Sequence, residues 1–198
     1  MNKGLIIISS ILITIAAIGG FFYLSKKNDP EMTFIKIKSS IDNKDLAAFN
    51  QLIDVDQVLN SVIDQYIDYS TKANNGELDI STGLIAFMRP SIISIIKEQI
   101  ETSISQGQIN IPKTVDGLST EVLGLLTLAH GDGANFKGIK DQKIEGTQAE
   151  LTLQIQLDGS DRVDDLIVKF RQKGDIWQIY DVKNLASLVE SYVAVNGK

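Results

Sequence analysis

The alternation of apolar and polar positions divides the chain into three stretches. The first, Gly4 to Leu24, has 21 residues without a charge. As a helix it would span roughly 30 Å, the hydrocarbon thickness of a bilayer. After the break at Asn28-Asp29-Pro30 the period becomes helical. Phe34, Ile37 and Ile41 recur at spacings of three and four, which predicts a first helix. Asp42-Asn43 interrupts it, and Lys44 to Ile53 reads as a second, short helix with Leu46, Phe49, Leu52 and Ile53 on one side. Asp54 is placed to cap a third. In that helix Val55, Val58, Leu59, Val62, Ile63, Tyr66 and Ile67 form one apolar stripe, with Asp64 and Asp68 on the wet side and Asn74-Asn75-Gly76 as the stop. A longer helix is predicted over 82–106. Ile92, Ile96, Ile100 and Ile104 recur there at i+4 spacing, widened by Leu84, Ile85, Met88, Ile93 and Ile95. Pro90 should kink this helix or mark a new first turn. The isoleucine stripe is expected to pack on a sheet. Residues 118–129 predict one more helix, with Ser119 at its start and His130-Gly131-Asp132-Gly133 at its end.

After residue 134 the period falls to two. Leu151, Leu153, Ile155 and Leu157 alternate with Thr152, Gln154, Gln156 and Asp158, the pattern of a half-buried antiparallel strand. A strand over about 138–145 should pair with it through Gly146-Thr147. Further strands are predicted over 162–172, with Leu166, Val168 and Phe170 inward, and over 175–183, with Trp177 and Ile179. Leu185, Leu188, Val189, Tyr192 and Val193 suit a short closing helix. Helices first and strands afterwards imply an α+β fold. The expected layout is an anchor and basic stub over 1–27, then a domain over 28–198. Within the domain, helices occupy 31–130, a curved four-stranded antiparallel sheet 134–183 and a closing helix 184–195.

Charge and composition narrow the function. Residues 28–198 carry 16 basic and 25 acidic side chains, a balance of −9 that argues against a nucleic-acid surface. The chain has no cysteine and a single histidine, His130. Disulfides, thiolate chemistry and multi-histidine metal sites within one chain are thereby excluded. For 4–24, Ala17-Ile18-Gly19 offers a signal-peptidase site, but cleavage would leave Phe21-Phe22-Tyr23-Leu24 opening the mature chain. The segment reads better as an uncleaved anchor. Its two-residue head before Lys3 favours a cytoplasmic N-terminus and an extracytoplasmic domain.

The phrase Lys44-Asp45-Leu46-Ala47-Ala48-Phe49-Asn50-Gln51-Leu52-Ile53-Asp54 and the hairpin ending Gly174-Asp175-Ile176-Trp177-Gln178-Ile179-Tyr180-Asp181-Val182 carry a resemblance. With the N-terminal anchor, the chain resembles the bacterial family known as domain of unknown function 2939, over most of 31–183. The sheet portion is similar to the cystatin-like cone of the nuclear-transport-factor-two superfamily, which implies a curved sheet wrapped around a helix. The helical part is longer here than the three-helix front of that superfamily. The acidic–histidine and tyrosine–aspartate pairings of its enzymatic members are missing, so the resemblance transfers no catalytic residue.

Candidate chemistry is sparse. His130 with Asp132 two residues away could serve as an acid–base pair, although a helix C-terminus explains the histidine as well. The His130–Asn135 glycine-rich run follows a helix and precedes a strand, the wrong context for a phosphate cradle. Asp158, Asp161, Asp164 and Asp165 do not match a calcium loop, and Asp54 and Asp56 suit a helix start. Trp177 and Tyr180, with Arg171 on the neighbouring strand, are the candidate ligand-binding residues, on the expectation that they face a concavity in the sheet. No metal or cofactor is expected. The sequence favours a membrane-anchored envelope domain that binds a small molecule or a protein without catalysis. An envelope enzyme working in the sheet's hollow and a structural assembly module are the alternatives.

Overall fold

The structure, a computed structural model, describes residues 29–77, 79–106, 134–157 and 161–184. The apolar segment 4–24, the expected helix over 118–129, His130 with its glycine loop, the 158–160 turn and the closing helix lie outside them. Among the described residues no helix is long and apolar enough to cross a membrane. The architecture is α+β. Helices α1 (Glu31–Asp42), α2 (Leu46–Leu52), α3 (Val55–Ala73) and α4 (Ile80–Gln106) precede strands β1 (Ala134–Glu145), β2 (Gln148–Leu157), β3 (Val163–Lys173) and β4 (Ile176–Lys183). The strands form one antiparallel sheet in chain order.

Local chemistry sets the helix boundaries. Pro30 precedes α1, where its missing N–H costs nothing, and the Asp29 side chain accepts the Glu31 amide at 3.2 Å. Asp45 caps α2 by accepting from the Ala48 amide at 2.9 Å, and Asp54 caps α3 by accepting from the Gln57 amide at 3.1 Å. Between them Ile53 is extended and pairs in parallel with Ile179 of β4. The Asp54 amide donates to the Ile179 carbonyl at 2.8 Å, so this short link occupies the edge of β4 that the strand ladder leaves open. Helix α3 stops at Asn74, followed by Asn75 and Gly76 at positive φ.

The β1–β2 and β3–β4 hairpins turn through two residues, Gly146-Thr147 and Gly174-Asp175, and each glycine holds a positive φ (60° and 61°). The Gln172 amide donates to the Thr147 carbonyl at 2.7 Å and joins the two turns at one end of the sheet. On the inner face Leu151, Leu153, Leu166, Val168, Phe170 and Ile179 are buried. Phe34 of α1 meets Phe170 edge to face, with centroids 5.6 Å apart. The Thr33 hydroxyl donates to the Trp177 carbonyl at 3.0 Å. Side chains thus fill the space between helices and sheet, where the sequence suggested a hollow.

The observed elements depart from the sequence pattern in four places. Strand β1 starts at Ala134, not near 138, because register shifts after Phe136 and after Ile139 break the alternation. Each shift absorbs one residue, so Phe136, Ile139 and Gln142 all sit opposite inward positions of β2. A further shift in β4 sets Phe170 opposite Ile179 and Lys169 opposite Asp181, which leaves Tyr180 as the extra residue. Ile179 and Val182 can then both be buried although three positions apart. Helix α4 starts at Ile80, two residues before the expected 82, and contains Pro90 within a single element that ends at Gln106. It packs chiefly along α3, antiparallel to it: Ser70 meets Thr82, Asp64 meets Arg89 and Asp56 meets Lys97.

Candidate functional site

The sequence candidates Arg171, Tyr180 and Trp177 are placed in two different environments. The alternation of β3 that buries Phe170 turns Arg171 to the outer face, opposite Gln178 of β4. Its Nε and Nη2 donate to Gln178 Oε1 at 3.0 and 2.8 Å, Nη1 donates to Gln57 Oε1 at 3.0 Å, and Nη2 also bonds the Asp54 carboxylate. The guanidinium carbon lies 5.5 Å from the Tyr180 ring centroid, within cation–π range. Gln178 Nε2 in turn donates to the Gln51 carbonyl at 3.1 Å. This cluster spans the sheet edge and joins β3 and β4 to the end of α2 and the cap of α3. The guanidinium is engaged on all three nitrogens, so its chemistry here is that of a clamp. Trp177 lies on the opposite, core-facing side of β4 at 6% exposure.

Two of the grooves among the described residues are open ones away from these three side chains, none of which lines either. One, about 470 Å³, lies between α3 and α4 and is lined by Asp56, Asn60, Ile93, Lys97, Glu98 and Glu101 among others. Lys97 spans it to Asp56 at 2.7 Å, and that hydrogen bond raises its ammonium above the ordinary lysine value. The other, about 340 Å³, lies where α1, α2 and the start of β4 meet, beside Lys36, Asn43, Asp45, Gln51 and Ile176. The outer face of the sheet is a lattice of opposite charges, with Lys140–Asp165 at 2.6 Å and Lys169–Glu150 at 2.7 Å. Its bond to Glu150 raises Lys169, and a bond to Glu145 raises Lys143 likewise.

Of the remaining acidic candidates, Asp161 is exposed, and three others have structural partners. Asp54 caps α3, Asp164 is buried beside Arg162 at 2.7 Å, and Asp165 pairs with Lys140. Among the described residues no group of three His, Cys, Asp or Glu side chains could hold a metal ion. His130 and Asp158 lie outside those residues.

The feature that sequence reasoning missed lies on α4. Ile80 and Phe87 are 94% and 85% exposed, and Leu84 between them is 47% exposed. Their spacing of four and three places them along one helix face. The spacing is visible in the chain, but the i+4 isoleucine pattern places Leu84 on the buried side. Ile85 and Thr82 are the residues this part of α4 buries against α3. No family model, no curated protein and no solved structure matches the chain.

Proposed function

We propose that this protein is a membrane-anchored envelope domain that binds a protein partner without catalysis, and that it does so through the exposed face of α4. The observation that carries the reading is the Ile80–Leu84–Phe87 stripe. Large apolar side chains grouped on one exposed helix face favour association with an apolar partner surface. The uncharged segment 4–24 supports the anchored state, and the resemblance to an anchored bacterial family accords with it. A protein partner is favoured over a small molecule because the described grooves are open and lined largely by charged and polar groups.

The test uses the full-length chain in membranes. A photo-crosslinking benzophenone amino acid in place of Phe87 is expected to give one adduct of discrete mass. The same probe at Asp68, on the exposed polar side of α3, is expected to give none. Ile80→Ser should abolish the adduct. No adduct at position 87, or equal adducts at both positions, overturns the reading.

A further inference from the structure

We propose that the hairpin end of the sheet lies on the lipid bilayer, so that the α4 stripe is held at the far end of the domain. The inference rests on the anchored reading above and adds to it an orientation and a lipid-facing surface.

The first argument is reach. Four residues lie between Leu24 and Asp29, and the five extended steps that join them cover at most about 18 Å. Asp29 is itself fixed to the domain, since its Oδ1 accepts from Gln142 Nε2 at 2.7 Å, three positions from the end of β1. From there α1 crosses the strands beside the turns. Phe34 lies at Phe170 of β3, and Lys36 and Ser40 share a groove with Ile176 of β4. A short tether entering here brings both hairpin turns to the membrane.

The second argument is direction. Helix α3 starts beside Ile179 and runs the same way as β4, because Gln65 Nε2 bonds the Val182 carbonyl. It therefore leads away from the hairpin turns. Over its 19 residues it covers about 28 Å. Helix α4 returns antiparallel from that far end, where Ile80, Leu84 and Phe87 lie.

The third argument is charge. Residues 55–106, which hold α3 and α4, carry seven carboxylates against three basic side chains and are repelled by anionic lipid. At the hairpin end Lys143 and Lys173 balance Glu145 and Asp175, and Lys26 and Lys27 of the stub add positive charge. Beside them Ile144 is exposed, an apolar side chain at a turn flanked by lysine, which suits the headgroup boundary.

The absence of cysteine allows single-cysteine reporters in the full-length chain. A fluorophore would be attached at Asp175→Cys or at Glu77→Cys, both exposed, in vesicles of mixed phosphatidylcholine and phosphatidylglycerol. Quenching by headgroup-spin-labelled lipid is expected to be severalfold stronger at 175 than at 77. A second pair, Gln148→Cys and Asp68→Cys, repeats the comparison at independent positions. Vesicle flotation of each variant reports the anchor separately. A chain that floats with equal quenching at both ends, or with stronger quenching at 77, overturns the orientation and leaves the anchor standing. A chain that does not float overturns both.

Discussion

Along α4, Ile80 and Phe87 stand in solvent, whereas Ile92, Ile96 and Ile104 are buried. Both halves are rich in apolar residues, so composition does not separate them. Their neighbours do. The second half begins opposite the start of α3, where Lys97 meets Asp56 and where α1, α2 and β4 converge. The first half lies beside the final turns of α3, beyond the bond that Gln65 makes to Val182 of β4. Among the described residues, one half has a third layer to pack into, and the other has α3 as its neighbour and an open face. Pro90, which is exposed, marks the junction. A helical stripe reports the ability to be buried, and the surrounding layers determine whether burial happens within the chain or against a partner.

The largest expected effect tests this contrast directly. Ile92→Ala should cost about 2–5 kcal/mol in urea unfolding, since it empties a fully buried position. Leu84→Ala should cost a small part of that, and equal losses would break the comparison. Next comes the junction. Proline in a helix interior is about 3 kcal/mol less favourable than alanine, so Pro90→Ala should raise the unfolding midpoint. A lowered midpoint would mean that the interruption at Pro90 is required for the packing of one half.

A third test addresses what fixes the buried end. Asp54→Ala removes the α3 cap and the carboxylate facing Arg171, and it is expected to cost about 1–2 kcal/mol. Thermal melts that leave the variant at the parent midpoint would show that the Arg171 clamp holds without its acid. Phe87→Ser should move stability by less than about 0.5 kcal/mol, because the ring is exposed. Combined with the benzophenone probe at Ile80, it should remove the partner adduct. A large loss of stability would assign the stripe to the core.

The smallest effect concerns pH. The bond to Asp56 raises the Lys97 ammonium above the ordinary lysine value, so the pair stabilises the fold below that value. Its contribution fades as pH rises through the raised folded value. Asp56→Asn should return Lys97 toward the ordinary lysine range, read by NMR titration of its ammonium. The difference in unfolding midpoint between variant and parent should close at strongly alkaline pH.

Much of the architecture was legible in the chain. The period of 3.6 in α3, the i+4 isoleucines of α4, the Asp54 cap and the period of two in β2 and β3 are local properties of an amphipathic face, and the elements follow them. The start of β1 and the burial of Val182 were not legible, because register shifts after Phe136, after Ile139 and at Tyr180 change which parity faces inward. Arg171, Tyr180 and Trp177 could be singled out by type. Their separation to opposite sides of the sheet edge could not, since it depends on the pairing of Arg171 with Gln178 and on the docking of Asp54. By itself the sequence determined the helix and strand periods, the caps, the glycine turns and the acidic balance, because each depends on neighbours a few residues away. Only the tertiary structure decided that Arg171 clamps the sheet edge, that Trp177 enters the core and that Ile80, Leu84 and Phe87 stay exposed. Those outcomes depend on which layers meet at each position, and contacts between residues far apart in the chain set that.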